Sequence, residues 1–123
     1  MKYLLLAYTS KDAWDTIDVT SAEFQATCQF YEDIGKELTE TGEFVSTEGL
    51  AHPALAQTIR KNPDGLVVSD GPYAEIKEVL ASYAIVDCES HDRAMEIAKR
   101  VADAVGDTIE VRPIMSGPPE PNA

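Results

Sequence analysis

Basic side chains are scarce, with 10 Lys and Arg against 22 Asp and Glu, for a net charge of −12. A chain of that sign repels phosphate backbones and anionic headgroups, so no nucleic acid and no membrane surface is expected as a partner. Long apolar runs are missing too. The longest aliphatic run, Leu4–Ala7, falls far short of the ~20 residues needed to cross a bilayer. Met1-Lys2 leads straight into strand-like sequence with no apolar core or cleavage site of a leader, so a cytoplasmic location is expected. There are only two cysteines, Cys28 and Cys88, with no CxxC and no histidine at ligand spacing. They read as small buried apolar groups, and no metal site is predicted. A phosphate-binding glycine loop, a nucleophile elbow and a haem motif are all absent, so no cofactor is expected. What remains is an ordinary globular balance, 44% apolar and 26% charged over 123 residues, the size of one domain.

The periodicities give an element order. Lys2–Tyr8 (KYLLLAY) reads as a strand, and the polar stretch from Thr9 to Val19 as a loop. Thr20 stands three residues before Glu23, the spacing of a capping box. The helix it opens carries Phe24, Cys28, Tyr31, Ile34 and Leu38 as its apolar stripe and ends at Gly42. Three short strands follow, at Phe44–Thr47, Ala54–Lys61 and Leu66–Ser69, the last two joined by Asn62-Pro63-Asp64-Gly65 as a hairpin turn. Asp70–Glu78 reads as a loop and Val79–Cys88 as a strand. A second helix runs from the Ser90 cap to Gly106, with Ala94, Ile97, Ala98, Val101 and Val105 facing inward and Glu96 able to pair with Arg100. Thr108–Met115 is the closing strand, and residues 116–123 form a loose tail rich in proline.

This order is β-α-β-β(-β)-β-α-β. Two helices with one apolar stripe each cover one face of an antiparallel sheet, which predicts an α+β, ferredoxin-like split β-α-β fold. Leu4–Leu6 and Tyr83–Val86 are apolar on both faces, where a solvated face would alternate with polar residues. A second copy of the chain is the simplest cover, so a homodimer with facing sheets is expected.

The block Asp70-Gly71-Pro72-Tyr73-Ala74-Glu75-Ile76-Lys77-Glu78, together with Ile109-Glu110-Val111-Arg112-Pro113, resembles the DGPF-domain proteins of the YCII-related group. The opening strand, the helix ending in Thr41-Gly42 and the Thr58-Ile59-Arg60 strand fall in the same order, so the resemblance spans about residues 1–115 as a single domain. It implies a ferredoxin-like subunit of a dimeric α+β barrel, with a His–Asp pair as an acid/base centre. Many such proteins are encoded near extracytoplasmic-function sigma factors, which also fits a regulatory module. This chain departs from the pattern at Tyr73, which stands where relatives carry Phe. It departs again at Ala81-Ser82, where relatives usually carry two glycines, and in having no histidine on the first helix.

The candidate site residues follow from both readings. Asp70 is either the turn residue of Asp-Gly-Pro or a carboxylate lining a ligand cleft, where desolvation would suit it to acid/base work. His52, in a loop between strands, is either solvated or takes the place of the missing helix histidine by approaching Asp70. His91, at a helix start, reads as an exposed terminus. Tyr73, Glu75, Lys77 and Arg112 are candidate ligand contacts. Glu75, Lys77 and Glu78 alternatively lock their loop through Arg112 or the other subunit, and Arg112 paired with Glu110 or Glu75 is structural. Tyr3, Tyr8 and Tyr83 are core or interface aromatics, or walls for a flat ligand. Two functions compete: a small-molecule site with cofactor-free acid/base chemistry of the lyase or isomerase kind, or a non-enzymatic module binding a basic protein partner.

Overall fold

The computed structural model describes residues 1–73 and 77–118. Glu75 and most of the tail, residues 119–123, lie outside the described residues. The elements are β1 (Lys2–Ser10), α1 (Lys11–Asp15), α2 (Ala22–Thr41), β2 (Phe44–Gly49), a 3-10 turn (Pro53–Leu55), β3 (Gln57–Asn62), β4 (Gly65–Asp70), β5 (Glu78–Asp87), α3 (His91–Val105) and β6 (Thr108–Pro113). β2, β5, β1 and β6 form one antiparallel sheet in that order, and β3 and β4 a separate hairpin. The result is the ferredoxin-like α+β layout with an inserted hairpin.

The two faces of the sheet are set by strand alternation. Tyr3, Leu5 and Ala7 of β1 are buried, and Tyr3 and Leu5 join Val86 and Cys88 beneath Ile34 and Leu38 of α2 and Ala94, Ile97 and Ala98 of α3. Leu4, Leu6, Tyr83 and Ile85 point the other way and are half-buried, although no helix covers them. Between Ala7 and Tyr8 the register slips, because Ala81 is an extra residue of β5. On the other side of β5 the Ala81 carbonyl accepts from the Leu50 amide at 2.8 Å, one step past the Gly49–Ser82 pair, which fixes the loop leaving β2.

Several local expectations are corrected. Ser21, not Thr20, caps α2: its Oγ accepts from the Phe24 amide at 3.1 Å. Thr20 is occupied elsewhere, its amide and hydroxyl both donating to Asp18 Oδ1. Those two bonds hold the Asp18 carboxyl below the usual carboxylate range, the hydroxyl bond contributing most. The buried stripe of α2 runs through Phe30, Ile34 and Leu38, so Tyr31 and Cys28 are exposed; only Cys88 is a buried thiol. The stretch read as a loop from Thr9 contains α1, a five-residue helix capped by Ser10. It has no apolar stripe, which is why periodicity misses it. Arg100 reaches across to Glu37 of α2 at 2.6 Å and Glu96 pairs with Arg93 at 2.7 Å, instead of with each other.

A two-bond ion pair ties the residue before β2 to α3. Arg93 holds Glu43 through two bonds, Nε to Oε2 at 2.9 Å and Nη2 to Oε1 at 3.0 Å. The guanidinium holds the Glu43 carboxyl below the usual range against the opposing effect of burial, and the Thr41 hydroxyl adds a third bond at 2.8 Å. Burial, reinforced by Glu43, pushes the neighbouring Cys88 thiol up. Because the folded carboxyl titrates lower than the unfolded one, the clamp stabilises fully above the unfolded carboxylate range and is lost as pH falls through the folded value. Glu43→Gln is expected to cost about 1–3 kcal/mol near neutrality. In urea titrations that difference should shrink with acidification; a pH-independent loss would show that the charge plays no part.

Candidate functional site

Three segments converge at one end of the sheet. β1 runs into α1, where the Lys11 amide donates to the Lys77 carbonyl at 2.9 Å. The loop after β2 turns at His52-Pro53 into the 3-10 turn. The Asp-Gly-Pro segment leaves β4, held to the base of the hairpin by the Gly71 amide on the Ala56 carbonyl at 2.7 Å and the Thr58 hydroxyl on the Gly71 carbonyl at 2.9 Å. Gly71 has φ 96, a backbone conformation open mainly to glycine. Between these segments lies a cleft of about 770 Å³ lined by Lys11, Asp12, Asp15, His52, Pro72 and Lys77 among others.

His52 organises this end. Its Nε2 lies 2.6 Å from Asp15 Oδ1, and its Nδ1 lies 3.0 Å from the Ala54 amide, which it caps. An amide only donates, so Nδ1 carries no proton and the ring proton sits on Nε2, facing the carboxylate. The Trp14 ring stands edge-on to the imidazole at 5.6 Å. Both ring nitrogens are therefore engaged, and the group with an oxygen left to offer the cleft is Asp15, whose side chain is 45% exposed.

His52 and Asp70 do not meet. The carboxyl partner of His52 is Asp15 of α1, while Asp70 ends β4 on an exposed edge and accepts from Gln57 Nε2 at 3.3 Å. Asp70 is not among the residues that line the cleft, although Gly71 and Pro72 are. Lys77 lines the same cleft as His52. Tyr73 borders the adjoining hollow behind His52, is 75% exposed, and has the Arg60 guanidinium 5.5 Å above its ring. Arg112 lies at the opposite edge of the sheet on β6, with Nη2 3.0 Å from Glu110 Oε2. His91 is exposed at the start of α3, 5.8 Å from the Tyr3 ring. Asp15 and Trp14 are the residues that sequence reasoning missed; Ser10 followed by Asp12 was the one local signal of the helix that carries them. Among the described residues, no group of three His, Cys, Asp or Glu side chains is placed to hold a metal ion. No helix among them is long and apolar enough to cross a membrane.

α1 buries no residue of its own; the Lys11 amide anchors its first residue, and the His52 contacts to Asp15 and Trp14 hold its last turn. His52→Ala is expected to release it, shifting the emission of Trp14 to the red and opening it to acrylamide. Global stability should fall by only about 0–1 kcal/mol, as for an exposed pair. Unchanged quenching would mean that α1 is held by something else.

Comparison with known proteins agrees with this architecture. The family model of the YCII-related domain matches residues 1–117. An uncharacterised protein of Rhizobium meliloti (strain 1021) is 30% identical over 120 residues, covering 93% of this chain and 92% of that relative. That match takes in every element from β1 to β6, and the chain belongs to the YCII-related family.

Proposed function

We propose that the cleft binds a small organic acid or ketone and moves a proton on it, with Asp15 as the base and His52 as the residue that positions it. The observation that carries this reading is the 2.6 Å contact between Asp15 and an imidazole whose other nitrogen is already capped. The ring cannot take up a proton at Nδ1 without breaking the Ala54 bond. It therefore acts as a fixed donor that holds one carboxylate oxygen and leaves the second to the ligand. Lys11 and Lys77 line the same cleft and supply positive charge for a carboxylate or a developing enolate oxygen. Proton abstraction next to a carbonyl, as in an isomerisation or elimination, suits this set. Asp70 serves the architecture of the Asp-Gly-Pro turn in this reading.

A second copy of the chain completes the proposal. Leu4, Leu6, Tyr83 and Ile85 form a helix-free sheet face, and Ile59, Leu66 and Val68 of the hairpin are largely exposed. A facing sheet would bury both sets and close one side of the cleft.

Deuterium uptake at C3 of short 2-oxo acids, the carbon next to the ketone, followed by NMR, tests the chemistry. Wild-type protein should accelerate uptake, and Asp15→Asn should lower the acceleration by roughly 10²–10⁴-fold. Uptake at the buffer rate, or equal uptake by both proteins, would contradict the role of Asp15. Light scattering at micromolar concentration should give twice the 13.4 kDa chain mass, and Leu6→Lys should return it to a single chain. A wild-type monomer would remove the dimer from the account.

A further inference from the structure

A second cavity, of about 1020 Å³, lies on the helix side of the sheet, across α1 from the Asp15–His52 cleft. Its walls come from α1 and the connection to α2, from one flank of α2, from the end of α3 and from the Ala81-Ser82 bulge of β5. Its chemistry is unlike that of the first cleft. Four of the chain's nine aromatic rings line it: Trp14, the sole tryptophan, with Phe24, Phe30 and Tyr31. Phe30 and Tyr31 stand edge to face with ring centres 5.9 Å apart. The charged groups on its walls are Asp18, Glu23 and Asp107, and none of its described lining residues is basic. No described Lys, Arg or His pairs with any of these three carboxylates.

Asp107 is the half-buried member of that set, just after the end of α3. Burial pushes its carboxyl up, the Thr9 hydroxyl opposes that shift and Glu78 adds a smaller upward push; burial together with Asp107 pushes the Tyr31 phenol up. Both directions agree with the partial burial of Asp107 and with negative charge beside it that no cation in the described wall offsets. A ligand bringing a positive charge relieves that condition, whereas an anion worsens it. Aromatic faces supply the rest, because their quadrupoles attract a cation and their area buries an apolar body.

We propose that this cavity binds a small organic ammonium ion with an aromatic body, its charge at Asp107 and its ring among Trp14, Phe30 and Tyr31. Phenethylammonium is the probe, with 2-phenylethanol as its neutral counterpart and 3-phenylpropionate as its anionic one. Trp14 emission reports binding directly, since no other tryptophan is present. Phenethylammonium should give a saturable change with a Kd at least tenfold below that of the alcohol, and the propionate should bind weakest. Asp107→Asn should reduce the ammonium to the affinity of the alcohol, while Asp70→Asn, which alters an exposed carboxylate on β4, should leave it unchanged. Equal affinity for ammonium and alcohol in the wild-type protein would overturn the proposal without reliance on any variant. So would an Asp107→Asn protein that binds like wild type, or a response that does not saturate at millimolar probe. None of these outcomes bears on deuterium uptake in the Asp15–His52 cleft, so the two readings stand or fall separately.

Discussion

The alternation of β1 is the constraint on which the rest depends. It is a central strand, bonded to β5 on one side and β6 on the other, so its side-chain parity is imposed on both neighbours. Tyr3, Leu5 and Ala7 face the helices, and Leu4 and Leu6 the opposite side. A one-residue slip would exchange those sets and leave Ile97 and Ala94 of α3 over the wrong surface. The β1–β5 register breaks once, at the Ala81 bulge. The Ala81 carbonyl anchors Leu50, two residues before His52, while the same end of β1 runs through Ser10 into α1 and Asp15. Both members of the His–Asp pair thus hang from one end of one strand pair.

That end of the sheet divides a single acidic chain into two electrostatic environments. On one side of α1, Lys11 and Lys77 stand with the Asp15–His52 pair. On the other, Asp107 stands among aromatic rings with no basic residue in the described wall. Trp14 belongs to both, with its edge on His52 and its ring bordering the second cavity. A five-residue helix with no buried residue of its own therefore separates two kinds of chemistry, and its docking sets the shape of each.

Much of the fold was legible because periodicity and caps agree where packing is strong. The stripe of α3, its Ser90 cap and its Gly106 stop, the β3–β4 hairpin and the antiparallel sheet all follow from local sequence. Legibility failed where a side chain had two possible duties. Thr20 had the spacing of a cap but was taken by Asp18, and Cys28 had helical spacing but lies off the buried stripe of α2. The candidate cleft was half legible. His52 stood out as a loop histidine, and Lys77 came with the Asp-Gly-Pro block, but the partner carboxylate did not. Asp70 drew attention because it sits in a recognisable motif. Asp15 sits in a short helix without periodicity, and only tertiary folding brings it 2.6 Å from a ring 37 residues away.

The central claim is that His52 is a capped, Nε2-protonated ring that holds Asp15. The ¹⁵N chemical shifts of its two ring nitrogens test this most directly, assigned by comparison with Asp15→Asn. The account predicts an acceptor-type, unprotonated Nδ1 and a protonated Nε2 whose hydrogen is strongly deshielded by the carboxylate, with that deshielding lost in the variant. A proton on Nδ1, or an Nε2 signal indifferent to Asp15→Asn, would contradict it.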